Sequence, residues 1–435
     1  MTGFLDLTPA AQSEKLAEWL REYDLVAGNR LSLDLSRGKP AADQLALSDG
    51  LEEVIAGDYT AEDGTDVRNY GGLRGLPEAR ELGSEIMGVP ARQIIAGGNS
   101  SLALMHHVVS TALRAGLWGD DRKWSNSDQP TLLAPVPGYD RHYTLSEALG
   151  IKLTNVDITD DGPNLDQVRA LISQDETIKG IWCVPKYSNP TGCTYSDTVV
   201  DELAQLPHHA AANDFVVLWD NAYAVHDLVF PGAELASIYD ASKRHGTEDH
   251  IVQFGSTSKI TFAGGGVAFV ASGDGVLSAL EREFEYMTIG PDKVNQLRHS
   301  RFLKGRVTEH MQAHAALLKP KFDIVLNTLE EELGGLGIAS WTHPIGGYFV
   351  SLDVQNGLAS KIIELASAVG LKLTPAGATY PYGQDPEDKN VRIAPTYADL
   401  EELKEAMLVL TLCVKLATAQ SAAAQSATNA QSSNE

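Results

Sequence analysis

The chain is poor in cysteine, in positive charge and in long apolar runs, and each shortage removes a class of protein. Three cysteines in 435 residues, Cys183, Cys193 and Cys413, are odd in number and form no C-x-x-C pair. That argues against a disulfide scaffold and predicts reduced, unligated thiols. His106-His107 and His208-His209 are adjacent pairs, and neighbours on a helix do not share a face. With no cysteine or carboxylate at ligand spacing, no metal site is expected. Basic residues number 34 against 58 acidic ones, a net charge of −24, which would be repelled by the phosphates of nucleic acid and by anionic membrane surfaces. No run approaches the ~20 apolar residues that cross a bilayer. The first twenty residues hold Asp6, Glu14, Lys15 and Glu18 and lack the apolar core of a secretory signal. The expectation is a cytoplasmic protein with small-molecule partners, no nucleic acid and no membrane. An anionic substrate would need a local cluster of Arg or Lys against the overall field.

What is present is ordinary in bulk, 43% hydrophobic and 21% charged, and long enough for two or three domains or one large core with a satellite. Thr8-Pro9 supplies an N-cap and a first-turn proline for a helix to about Tyr23. From roughly 90 to 272, strand-like runs (Leu132–Ala134, Ile151–Val156, Gly180–Val184, Phe215–Trp219, Ile251–Phe254, Val267–Ala271) alternate with helical segments such as Asn99–Ala115 and Asn164–Ser173. Several of the runs are continuously apolar, which indicates a largely parallel sheet covered on both faces, an α/β fold. A last helix over about Tyr397–Leu416, N-capped by Thr396, would close a smaller C-terminal domain. The division read from these patterns is an N-terminal segment over 1–60 that forms part of the small domain, a large domain over 61–295 and the C-terminal small domain over 296–417. The Ala, Gln, Ser and Asn tail from 418 to 435 is expected to be disordered.

The chemistry concentrates at strand ends. Ser256-Thr257-Ser258-Lys259 lies between two apolar runs, so its amine is poorly solvated, loses a proton easily and can attack a carbonyl to form a Schiff base. Asp220 closes the run Phe215–Trp219. A buried carboxylate there needs a cationic partner, for which a protonated pyridine nitrogen and a helix N-terminus are both candidates. Gly97-Gly98-Asn99-Ser100-Ser101 runs directly into an apolar-rich helix, offering backbone N–H groups to a phosphate, with hydroxyls added from Ser256 and Ser258. Arg392, flanked by Val391 and Ile393, is costly to bury without an anion and suits a carboxylate bidentately.

Four segments in this order, Tyr187-Ser188-Asn189-Pro190-Thr191-Gly192, Trp219-Asp220-Asn221-Ala222-Tyr223, Ser256-Thr257-Ser258-Lys259 and Val391-Arg392-Ile393-Ala394, resemble the fold-type I pyridoxal-phosphate aminotransferases. The likeness spans roughly residues 30–415 and is strongest to the divergent bacterial subgroup related to aspartate aminotransferases (class Ic). It implies pyridoxal 5′-phosphate on Lys259, its ring nitrogen on Asp220 and its phenolic oxygen on Tyr223 and Asn189. It implies Tyr139 stacked on the ring, and phosphate held by Asn99, Ser100, Ser101, Ser256 and Ser258. It also implies a homodimer in which Tyr70 crosses to the neighbour's phosphate. The substrate α-carboxylate would meet Arg392, Asn189 and the Gly38 backbone, and amino groups would pass between an amino acid, aspartate first, and 2-oxoglutarate in ping-pong fashion. Two departures stand out. No arginine follows Lys259 within Ala263–Val267, where many relatives grip the phosphate. None lies in Glu283–Met287, where relatives hold a distal carboxylate. Lys39 and Arg141 are the candidates for the second task. Lyases and decarboxylases of the same fold share the lysine, aspartate and arginine. A serine acylase reading of Ser256-x-x-Lys259 lacks its Lys-Thr-Gly companion, and a cofactor-sensing regulator would need a basic DNA-binding domain.

Overall fold

Apolar segments without a polar face must lie inside a sheet covered on both sides. The computed structural model, which describes residues 3–28 and 31–432, builds its centre from them. Its strands are β1 (Leu33–Asp34), β2 (Ile94–Ala96), β3 (Thr131–Val136), β4 (Lys152–Thr159), β5 (Gly162–Pro163), β6 (Ile178–Cys183), β7 (Val216–Asp220), β8 (Ile251–Ser256), β9 (Ala268–Ala271), β10 (Ala339–Trp341), β11 (Val350–Val354), β12 (Leu371–Lys372) and β13 (Asn390–Ile393). The main sheet has the order β2-β9-β8-β7-β6-β3-β4-β5. β8, β7, β6, β3 and β4 are mutually parallel, β9 is antiparallel to both neighbours, and β5 pairs antiparallel with β4. Every residue of β3, β6 and β7 is buried, while β4, near the edge, mixes buried and exposed positions. Short β2 and β5 were not visible in the residue pattern.

Helices Ser101–Arg114 and Asp274–Met287 contribute to the core on one face, and Leu165–Ile172, Asp197–His209 and Ile238–His245 to the core on the other. The parallel strands direct their carboxyl ends to one edge, so the turn after Cys183, Asp220 itself and the loop after Ser256 all emerge there.

A separate core unites the antiparallel sheet β10-β11-β13, the parallel pair β1–β12, and helices Pro9–Ala27, Val307–Leu333, Ala359–Ala368 and Leu400–Ser432. The first of these starts as expected, with Thr8 Oγ1 accepting from the Ala11 amide at 3.3 Å, but runs on to Ala27. The last differs from expectation at both ends. Thr396 does not cap it: its buried hydroxyl donates instead to the Lys39 carbonyl at 3.0 Å, and Asp399 accepts from the Glu402 amide at 2.9 Å. The tail expected to be disordered continues the helix to Ser432, with Ala417, Thr418 and Ala419 buried. Alanine and glutamine extend a helix already nucleated at little cost. The stretch Leu400–Thr428 is, by length and composition, apolar enough to cross a membrane, contrary to the expectation of no such run; 67% of its most apolar window is buried inside the protein.

Candidate active site

Lys259 sits on the loop after β8. Thr257, fully buried, ties that loop to the start of β9: its amide donates to the Val267 carbonyl at 2.8 Å and its Oγ1 accepts from the Val267 amide at 2.9 Å. The Lys259 ammonium lies over the Tyr223 ring at 4.8 Å and the Tyr348 ring at 5.8 Å. Burial pushes its amine below the usual lysine range, and the Asp220 carboxylate opposes that only in part. The backbone beneath is held by aromatic donors. The Lys259 carbonyl is 3.4 Å from Tyr348 Oη and from His226 Nε2, and the Ile260 carbonyl accepts from His310 and His314 Nε2 at 2.7 and 2.8 Å. Burial lowers the pKa of all three histidines, which keeps them neutral.

Asp220 ends β7 with 2% exposure. His142 Nε2 meets its Oδ2 at 2.9 Å, and Oδ1 is buried without any partner. His142 is itself fixed by stacking flat on Trp182, ring centroids 4.2 Å apart, and Tyr139 meets its edge at 4.9 Å. Tyr223 is buried against Tyr348. Desolvation first, then the neighbouring Tyr139 and Asp220, hold its phenol protonated.

Asn189 lies two residues after Tyr187, whose φ of 51° is in the left-handed region that non-glycine residues rarely adopt. The surroundings enforce it, since Tyr187 Oη donates to Asp227 at 2.6 Å and accepts from the Ala233 amide at 3.0 Å. Asn189 Oδ1 accepts from Arg392 Nη1 at 3.3 Å, while its buried Nδ2 donates to nothing. Arg392, on β13, also donates from Nη1 to Asp140 Oδ1 at 2.8 Å and from Nη2 to Thr374 Oγ1 at 3.4 Å; its Nε is buried and unpaired. Phe349 lies under the guanidinium at 4.9 Å. Gly38 crosses this ring so closely that a Cβ would sit 2.2 Å from Phe349 Cζ, so only glycine lets that backbone pass.

At the other end, Ser100 Oγ accepts from the Ala103 amide at 3.2 Å and caps the helix beginning at Ser101. Asn99 Nδ2 donates to the Gly264 carbonyl at 2.9 Å, Ser258 Oγ donates to the Asn99 carbonyl at 3.3 Å, and Ser256 Oγ accepts from the Ser258 amide at 3.4 Å. The two loops expected to share a phosphate are thereby joined.

Three expected residues stand apart from these contacts. Tyr70 is 81% exposed. Lys39 is exposed, its ammonium over the Tyr397 ring at 4.2 Å. Arg141 is exposed, with Nε 3.8 Å from Asp140 Oδ2. Conversely, Asp140, His142, Tyr348, Phe349 and Thr374 escaped the sequence reading. The one signal for the first two was their position directly after Tyr139.

A parallel sheet presenting a lysine and a buried aspartate at its carboxyl edge, with an arginine delivered from a separate antiparallel sheet, is the architecture of fold-type I transferases. Comparisons agree. LysN, an α-aminoadipate aminotransferase from Thermus thermophilus, has this fold at TM-score 0.74 and 20% identity, covering 92% of this chain and 95% of that one. An aspartate transaminase structure from Corynebacterium glutamicum superposes at TM-score 0.93 with 41% identity, covering 97% and 99%. The Corynebacterium glutamicum protein named aspartate aminotransferase is 43% identical over 409 residues, 92% of this chain and 93% of its own length. The family described as "Aspartate amino-transferase" matches residues 7–426. The chain belongs to the aspartate aminotransferase family.

Proposed function

We propose that this aminotransferase binds pyridoxal 5′-phosphate and passes amino groups between aspartate and 2-oxoglutarate, as a cytoplasmic homodimer with shared sites. The observation that carries the reading is the pair formed by a desolvated lysine amine and a buried aspartate with one oxygen unpartnered. Lone buried polar atoms are costly, and a pyridinium N–H for Asp220 Oδ1 and a phenolate for Asn189 Nδ2 would remove two of those costs. In this reading the unit over 61–295 holds the cofactor, and 1–60 with 296–417 supplies the substrate-binding side.

When bound, the coenzyme supplies an aldehyde for amines and a ring that takes up negative charge. The chain's own residues do the rest. Lys259 Nζ, whose burial lowers its proton affinity, takes the proton from the substrate α-carbon and returns one on the other side of the reaction. Asp220, oriented by His142, holds positive charge on the ring nitrogen. Tyr223 and Asn189 donate to the phenolic oxygen, and Tyr139 covers the ring. Asn99, Ser100 and Ser101 amides, with Ser256 and Ser258, meet the phosphate without an arginine. Arg392, Asn189 and the Gly38 backbone take the α-carboxylate. Of the two rim cations, Lys39 has no carboxylate partner among the described residues, so it is assigned the distal carboxylate.

The homodimer reading rests on a surface patch. Tyr70, Tyr286, Met287 and Ile289 are exposed at 81, 68, 43 and 56%. The segments that carry them touch, Lys293 Nζ donating to the Gly71 carbonyl at 2.7 Å. Beside them a cavity of about 290 Å³ is lined by Gly97–Ser100, Met287 and Pro291, where a partner's tyrosine would reach the phosphate loop.

Purified protein mixed with aspartate, 2-oxoglutarate and the coenzyme should yield glutamate and oxaloacetate. Pyruvate with carbon dioxide would instead mean β-decarboxylation. Lys39→Ala should raise the KM for aspartate about tenfold, the value of one charge-assisted contact, and leave that for alanine unchanged; equal losses on both would reject the assignment.

A further inference from the structure

An acidic side chain occupies the place where an anion should bind. Asp140, the first residue of the helix Asp140–Ala148, places Oδ1 at 2.8 Å from Arg392 Nη1, the two side chains being 22% and 8% exposed. Its other oxygen faces Arg141 Nε at 3.8 Å. The fork of Arg392 is meanwhile incompletely used. Nη1 is shared between Asp140 and the amide oxygen of Asn189, Nη2 reaches Thr374 only at 3.4 Å, and Nε is buried with no acceptor. A permanent structural partner of a buried arginine would be expected to engage the fork bidentately. This one takes a single N–H and leaves the rest for another carboxylate.

We infer that Asp140 is a displaceable stand-in for the substrate α-carboxylate: it neutralises Arg392 when no substrate is bound, and it moves to Arg141 when substrate arrives. This rests on the reading of Arg392 as the α-carboxylate ligand. The physical gain is that a buried guanidinium is never left without a counter-charge, a state that is expensive. The cost is competition, because an incoming carboxylate that engages the whole fork must displace Asp140 from Nη1. Arg141, exposed and beside it, is the cation that receives the displaced side chain, which makes it a positioning residue.

The test is a double-mutant cycle on the coenzyme-loaded enzyme, with maleate binding read by calorimetry for wild type, Asp140→Asn, Arg141→Gln and the double variant. Asp140→Asn should tighten maleate about five- to tenfold, the worth of one charge-assisted hydrogen bond partly screened by solvent. Arg141→Gln should weaken it severalfold in the wild-type background and leave it unchanged in the Asp140→Asn background. Asp140→Ser, with thermal melting of each variant, guards against misfolding and should tighten binding likewise. Unchanged or weaker binding in both Asp140 variants overturns the inference, because the carboxylate would then be a fixed orienting partner. An equal loss from Arg141→Gln in both backgrounds also overturns it, because Arg141 would then touch the ligand directly. Transamination by the wild type, assayed alongside, separates the two failures. An active wild type with the wrong cycle sinks only this inference, whereas an inactive wild type that binds no maleate sinks the proposed function and this inference with it.

Discussion

Asp220 has two oxygens in different circumstances, and His142 decides which is which. The histidine holds Oδ2 at 2.9 Å and is locked by Trp182, so Oδ1 is the oxygen left for the ring nitrogen of the proposed coenzyme. Replacing His142 by alanine strands a second buried carboxylate oxygen, at a cost of roughly 1–3 kcal/mol. The expected result is weaker coenzyme retention, up to about a hundredfold, with kcat falling more than KM rises. His142→Gln, which keeps an N–H donor, should recover part of the loss. Fluorescence titration of the coenzyme with steady-state kinetics reads both effects, and unchanged affinity in the alanine variant would show that Asp220 needs no such partner. Lys259, Asp220, Asn189 and Arg392 were legible as candidates together, because four segments in one order carry the resemblance that none carries alone. Asp140 and His142 were not. They are polar residues at the start of an ordinary surface-capable helix, and only their contacts give them meaning.

Elements carry a pH dependence that no single site residue does. The helix Lys293–Leu303 brings His299 to Thr261 Oγ1 at 2.9 Å, and the helix Val307–Leu333 brings His310 and His314 to the Ile260 carbonyl. Burial depresses His299 and His314 from 6.5 to about 4. Their folded-state pKa values lie below the unfolded ones, so between about 4 and 6.5 the unfolded chain binds more protons. The stability they contribute is complete above pH 6.5 and is lost as pH falls toward 4, on the order of a few kcal/mol for each. Denaturant midpoints measured across pH 4–7 should fall toward the acid side. His299→Gln and His314→Gln should each flatten that slope; an identical slope in the variants would remove these histidines from the account. His310 and His314 stand four residues apart on one helical face, but nothing in the residue pattern singled them out, and the carbonyl they face is set by packing. The extent of the helix Leu400–Ser432 was also hidden, because composition without large apolar residues is the same for a loose tail and for a helix continued from a packed one.

At the scale of the whole molecule, the proposed sharing of sites makes a prediction that neither subunit can satisfy alone. If Tyr70 serves the partner, Tyr70→Ala and Lys259→Ala homodimers should both be severely impaired. Mixing and exchanging their subunits should then restore activity, because one of the two sites in each hybrid contains both native residues. No recovery, with exchange verified by mass, would return Tyr70 to its own surface. The net charge of −24 belongs to this scale too. It favours solubility and disfavours nucleic acid, while the site gathers its basic groups locally, Lys259 over aromatic rings and Arg392 on β13, where the global field matters less than the nearest carboxylate.

Read alone, the amino-acid order determined the parallel sheet, the edge at which chemistry gathers and the residues proposed for it, since burial patterns and strand-end turns are local properties of a chain. Only the tertiary structure decided the partnerships: Arg392 with Asp140 across 252 positions, and His142 with Asp220 across 78. Charge pairing and desolvation depend on distance in space, and distance in space is settled by the packing of the whole chain.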